Sequence, residues 1–104
     1  MIVQFVKFES GLPENEVLAV AEERLPQFKA LPGLLQKYYV KLGPPNQYGG
    51  IYVWDSRESL NAFRQSELAK SIPAAYEVAG APTVDIHDVF LCLRDTSELA
   101  ESAA

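Results

Sequence analysis

The stretch Tyr48-Gly49-Gly50-Ile51-Tyr52-Val53-Trp54-Asp55-Ser56 decides how the chain reads. Aromatic and β-branched residues fill it and two glycines open it, which predicts a central strand that backbone or ligand approaches closely. Asp55 or Ser56 at its end suits the cap of a following helix. Side chains alternate across a strand, so Gly50, Tyr52 and Trp54 share one face while Ile51 and Val53 take the other. Large aromatics beside an empty glycine position make a candidate pocket wall.

Working outward, Leu34 to Leu42 predicts a preceding strand, joined to this one as a hairpin by the turn composition Gly43-Pro44-Pro45-Asn46-Gln47. Ile2 to Phe8 predicts the first strand, with Val3 and Phe5 on one face and Ile2, Val6 and Phe8 on the other. Gly11-Leu12-Pro13 ends it. A helix follows from about Glu14, with Val17, Leu18, Ala21, Leu25 and Phe28 as its buried stripe and Pro26 expected to kink or restart it. Beyond the central strand, Leu60 and Phe63 face inward from a second helix, until Pro73 interrupts the pattern. Ala74 to Pro82 reads as a loop and Thr83 to Leu93 as the last strand. There Val84, Ile86, Phe90 and Cys92 face one way, and Thr83, Asp85 and His87 the other. Residues 1–94 form the domain, and residues 95–104 are expected to be a flexible acidic tail.

The order β-α-β-β-α-β predicts an α+β, ferredoxin-like arrangement, a four-stranded antiparallel sheet with two helices on one face. Two helices cover one side only, yet the strands carry large apolar groups on both. The uncovered side is therefore expected to meet a second copy, sheet to sheet, in a twofold homodimer.

Composition narrows the function classes. At 104 residues the chain holds one domain, and 48% apolar with 22% charged residues is ordinary globular usage. Net charge is −5, and Lys and Arg are scattered singly, which argues against a nucleic-acid partner. Strand-like residues begin at Ile2 with no charged leader or long apolar run, so a signal peptide, a spanning helix and a membrane role are not expected, and the address is taken as cytoplasmic. One Cys and one His offer neither an internal disulfide nor a metal-ligand cluster. Cys92, between Leu91 and Leu93, reads as core packing. No nucleotide fingerprint occurs, so no flavin or nicotinamide is expected.

Three stretches in this order carry a family resemblance: Leu31-Pro32-Gly33-Leu34-Leu35-Gln36-Lys37-Tyr38-Tyr39, Tyr48 to Trp54, and Ser66-Glu67-Leu68-Ala69-Lys70-Ser71-Ile72-Pro73. With them the chain, from Ile2 to about Arg94, resembles the dimeric α+β barrel superfamily. Within it the chain is most similar to the YdhR-like monooxygenases, near the antibiotic-biosynthesis monooxygenases. The resemblance implies a monooxygenase that works without a cofactor on a small aromatic or polyketide-like molecule, in a pocket between helices and sheet. Some relatives carry a tryptophan at the end of the third strand, which Trp54 matches. Polyketide-modifying relatives use asparagines near the pocket, where this chain offers Gln4 and Asn61. Haem-degrading relatives need a histidine on or just after the second helix, and this chain has Ile72-Pro73-Ala74 there, which discounts haem.

The candidate catalytic set is His87, Tyr52 and Trp54. His87 is the side chain whose ordinary pKa lies nearest neutrality, so proton abstraction looks first to it, with Asp85 to orient it. Tyr52 offers a phenol, and Trp54 a flat surface for a substrate. Tyr38, Gly50, Phe63 and Tyr76 form the candidate substrate-binding set. Plainer readings stand beside each: core packing for Tyr52 and Trp54, a surface position for Tyr76, and a strand-edge or interface position for His87. Lys37 or Arg64 holds an anionic group, or is solvated surface charge. The function classes left open beside the oxygenase are a non-catalytic small-molecule-binding dimer, and a cofactor-free cyclase, isomerase or lyase.

Overall fold

A computed structural model describes residues 1–94, and the tail expected over 95–104 lies outside them. The order is β1 (Ile2–Ser10), α1 (Glu14–Lys29), β2 (Leu34–Lys41), β3 (Gln47–Trp54), α2 (Arg57–Arg64), α3 (Glu67–Ala75) and β4 (Val78–Asp88). The strands form one antiparallel sheet in the order β2-β3-β1-β4, with β3 and β1 central. This is the ferredoxin-like α+β fold, with the second helical segment split in two.

Register fixes the two faces. Across the central pair, Ile2 meets Trp54, Gln4 meets Tyr52, Val6 meets Gly50 and Phe8 meets Tyr48. This row faces the helices: Ile2, Tyr52 and Trp54 pack with Phe28, Leu60 and Phe63, while Tyr48 packs with Val17, Ala21 and Tyr76. The opposite row carries Val3, Phe5, Ile51 and Val53, flanked by Tyr38 from β2 and by Asp85 and His87 from β4.

Local chemistry explains the helices. Ser56 caps α2 by accepting from the Ser59 amide at 3.2 Å, and Ser66 caps α3 by accepting from the Ala69 amide at 3.2 Å. The expected second helix is thus two, broken at Gln65-Ser66. Pro26 and Pro73 both lie inside helices, which run through them. Pro73 sits on the exposed side of α3. The single ladder bond that each imino nitrogen forgoes does not end the helix.

The last strand differs most from expectation. It runs Val78–Asp88, so Ala74 and Ala75 belong to α3 and only a tight turn at Tyr76-Glu77 remains of the expected loop. Gly80 has φ +71° and the β1–β4 register shifts between Lys7 and Glu9. A bulge on an edge strand absorbs both Gly80 and Pro82. Beyond it, Phe90 and Leu93 are almost fully exposed and Leu91 largely so, and Cys92 is an exposed free thiol where core packing was expected. Leu18, expected in the buried stripe of α1, is also exposed.

Trp54 is fully buried, and its indole Nε1 donates to Gln4 Oε1 at 3.0 Å, one of two buried polar residues in the core. This bond crosses the central strand pair. Gln4→Leu strands the indole N–H, and chemical denaturation should read a loss of roughly 1–3 kcal/mol. Combined with Trp54→Phe, the double variant should lose less than the sum of the singles.

Candidate functional site

A cavity of about 530 Å³ opens between the helix-facing side of the sheet and the three helices. Its floor comes from alternate positions of the strands: Gln4, Val6 and Phe8 from β1, Tyr48, Gly50 and Tyr52 from β3, and Lys37, Tyr39 and Lys41 from β2. Val17 and Ala21 of α1, Phe63 of α2 and Ile72 of α3 form the walls, with Tyr76 where α3 ends. Exposed Glu14, Arg64, Lys70 and Val84 stand among the lining residues and mark its mouth.

The wall is aromatic and stiff. Tyr52 and Trp54 stack at 6.0 Å between centroids with their planes 4° apart, and Phe63 closes on Tyr52 at 5.5 Å and on Trp54 at 5.4 Å. Tyr76 packs on Phe8 at 5.3 Å, and its carbonyl accepts from Ser10 Oγ at 2.6 Å, which ties the end of α3 to β1. Gly50 leaves a gap in this wall. A Cβ there would stand 3.0 Å from Tyr52 Cε1 and 3.2 Å from Lys37 Cε.

Lys37 fills that gap. Its Nζ lies 3.6 Å from the Phe28 ring centroid, 4.2 Å from Tyr39 and 4.5 Å from Tyr52. Burial strips water from the ammonium, and Arg24 adds like-charge repulsion, so the amine is lowered to about 7. The phenols move the other way: burial pushes Tyr39 up to about 12, and raises Tyr52 and Tyr76 as well. Both tyrosines of the wall are therefore hydrogen-bond donors at neutral pH. Arg24 reaches from α1 to the Leu68 carbonyl at 3.3 Å and to Ser71 Oγ, while its Nε is buried without a partner among the described residues.

The structure brings together some of the expected residues and separates others. Tyr52, Gly50, Phe63 and Tyr76 line the cavity. Trp54 lies behind Tyr52 and outside the cavity lining, its N–H already used by Gln4. His87 pairs with Val3 and Tyr38 with Ile51, so both sit on the opposite face of the sheet, His87 with Asp85 opposite Phe5. The expectation that His87 works beside Tyr52 is corrected: side chains of opposite parity cannot meet through a sheet. Gln4 lines the cavity, while Asn61 does not. Arg64 is at the mouth. Lys37, read only as an anion holder or surface charge, is at the centre. Its signal in the sequence was the period-2 set Lys37, Tyr39, Lys41, but that set acquires its face only from the register with Tyr52, Gly50 and Tyr48.

Among the described residues no group of three or more His, Cys, Asp or Glu side chains is placed to hold a metal ion. No helix among them is long and apolar enough to cross a membrane.

No protein-family model matches this chain, and no curated protein matches it. Solved structures share its fold. A protein of unknown function from Nitrosomonas europaea superposes with a TM-score of 0.73 at 16% identity, over 90% of this chain and 93% of its own. An antibiotic biosynthesis monooxygenase gives 0.69 at 20% identity, over 88% and 100%. SnoaB, a cofactor-independent oxygenase from Streptomyces nogalater, gives 0.70 at 16% identity, over 90% and 98%. The chain therefore has the fold of the antibiotic biosynthesis monooxygenases.

The shifted groups set a stability profile. Between about pH 7 and the ordinary lysine value, the unfolded chain holds a proton that folded Lys37 has released, so stability rises with pH. Above about pH 10 the unfolded tyrosines ionise while folded Tyr39, Tyr52 and Tyr76 still hold their protons, so stability falls. Melting temperatures across this range should peak on the alkaline side of neutrality, and Lys37→Met should flatten the rising limb while leaving the falling one.

Proposed function

We propose that this protein is a cofactor-independent monooxygenase of the YdhR-like kind, acting on a small aromatic or polyketide-like molecule. The observation that carries the reading is the cavity itself: a stiff aromatic wall of Tyr52, Phe63 and Tyr76 beside the Gly50 gap, on a fold shared with an antibiotic biosynthesis monooxygenase and a cofactor-independent oxygenase. A planar ring suits such a wall. The protonated phenols of Tyr52 and Tyr76 donate hydrogen bonds to ring oxygens, and donation strengthens as an oxygen gains negative charge. Removing a proton from an electron-rich ring carbon leaves a carbanion that reacts with dioxygen directly. A C–O bond forms, and loss of water leaves a carbonyl where two C–H bonds stood. One oxygen atom enters the product and the other leaves as water, so the substrate supplies both electrons.

The uncovered sheet face completes the proposal. Val3, Phe5 and Ile51, all part-exposed, and exposed Tyr38 form an apolar band that suits the same face of a second copy. His87 and Asp85 belong to that interface in this reading. A cytoplasmic setting agrees with the exposed free thiol of Cys92.

Anthrone offered under oxygen should yield anthraquinone with one dioxygen consumed per product. Tyr52→Phe should slow that turnover roughly tenfold, the order of one lost hydrogen bond to a charged oxygen. Thermal stabilisation by anthrone or quinols with no oxygen uptake would favour a binding protein, and product formed equally under nitrogen a proton-transfer enzyme. Sedimentation should find dimers, and Ile51→Asp should give folded monomers; a monomeric wild type in dilute solution would refute the interface.

A further inference from the structure

We propose that Lys37 Nζ is the catalytic base of the cavity, taking the proton from a phenolic O–H or an acidic ring C–H and remaining beside the resulting anion as its ammonium counter-ion. This rests on the aromatic-substrate reading above. The substrate bond to hydrogen breaks, its electron pair stays on the substrate, and the proton joins the amine lone pair. No oxidant enters this step.

Position comes first. Lys37 shares the helix-facing row with Tyr52, its cross-strand partner, and the glycine gap at 50 is what lets its stem lie along the wall. The amine ends among the rings of Phe28, Tyr39 and Tyr52, in the lining of the cavity.

Partners come second. Lys41 is paired with Glu14 at 2.8 Å and Lys70 with Glu67 at 3.8 Å, whereas Lys37 Nζ has no ion pair and no side-chain hydrogen bond among the described residues. The titratable and charged groups that act on it or share its cavity are Arg24 and the engaged Glu14 from α1, Tyr39 and Lys41 from β2, Tyr48 and Tyr52 from β3, Arg64 from α2, and Lys70 and Tyr76 at α3. Cations and phenols dominate this set, and its single carboxylate is already taken. An ammonium at Lys37 thus lacks a counter-charge until a substrate anion forms, when the three ring faces and the anion stabilise it together.

Elimination comes third. Tyr52 and Tyr76 hold their protons more tightly than ordinary phenols, so they donate rather than accept. His87 is on the far side of the sheet. The amine, lowered to about 7, accepts a proton near neutrality.

2-Naphthol tests this without turnover, because its anion absorbs where the protein does not. At about pH 8, above the amine's value in the fold and below the probe's own pKa, wild type should bind it as naphtholate with no net proton release. Lys37→Met should bind it as the neutral phenol. Lys37→Arg, a permanent cation that cannot accept a proton, should bind naphtholate and release one proton per molecule bound. Lys29→Met, an exposed lysine of α1, should behave as wild type. Oxygen uptake with anthrone should fall at least a hundredfold in Lys37→Met. Naphthol that wild type binds as the neutral phenol or does not bind, proton release equal to that of Lys37→Arg, or undiminished oxygen uptake in Lys37→Met each overturns the assignment. Naphtholate formed by wild type with no oxygen uptake from anthrone keeps the base and removes the oxygenase reading instead.

Discussion

A single missing side chain governs the site. Along the helix-facing row of β3, the positions read ring, gap, ring, ring: Tyr48, Gly50, Tyr52, Trp54. The gap at Gly50 is shared by the edge of the Tyr52 ring and the Lys37 stem, while Gln4 holds the stacked indole of Trp54 from the neighbouring strand. Gly49 is empty for a different reason. A Cβ there would stand 2.7 Å from the Val6 carbonyl, so that glycine serves the close approach of β1 and β3, while its neighbour serves the cavity.

Desolvation then separates the roles of otherwise ordinary groups. The same apolar surroundings lower an amine and raise phenols, because each is driven toward its neutral form. Near neutral pH the cavity thereby holds an amine able to accept a proton beside phenols able to donate a hydrogen bond. Arg24 sharpens the contrast: it lies close enough to disfavour a charge on Lys37 and to favour one on the tyrosines, yet burial still outweighs it at the tyrosines.

How much of this was legible follows from what periodicity can carry. The alternation along Tyr48 to Trp54 sorted the faces of β3 correctly and that of Ile2, Val6 and Phe8 put them on one face of β1, but with both faces of β1 apolar only the register joins the two rows. Periodicity was silent on which side of β4 meets the helices, since Val84 and Ile86 alternate with Thr83, Asp85 and His87 in either case. Only the register Val3 to His87 decides it. Gly80 and Pro82 read as breakers because local chemistry does not know that a strand is at an edge, where a bulge tolerates both. The apolar run Phe90 to Leu93 read as strand for the converse reason: hydrophobicity without a partner in the sheet does not form one. Lys37 was hidden because a lysine's environment is a tertiary property, supplied here by Phe28, an aromatic ring of α1.

The helix break gives the cavity its entrance and its sign. Ser66 restarts the helix after Gln65, so α2 seals the cluster around Trp54 and Leu60 while α3 reaches Tyr76 and the other cluster, and the space lies between the two. Arg64 ends α2 and Lys70 lies in α3, and both stand at the mouth. A chain of net charge −5 thus presents Arg64 and Lys70 at this opening, with Glu14 already paired to Lys41 and Glu67 beside Lys70. Exposed charges of that kind are screened within a Debye length and contribute to encounter more than to retention. Arg24 and Lys37 are part-buried, where screening by salt is weaker. On the proposed function, a planar molecule deprotonated beside Lys37 becomes an anion as the amine becomes an ammonium, so the attraction between them arises after entry and not on approach.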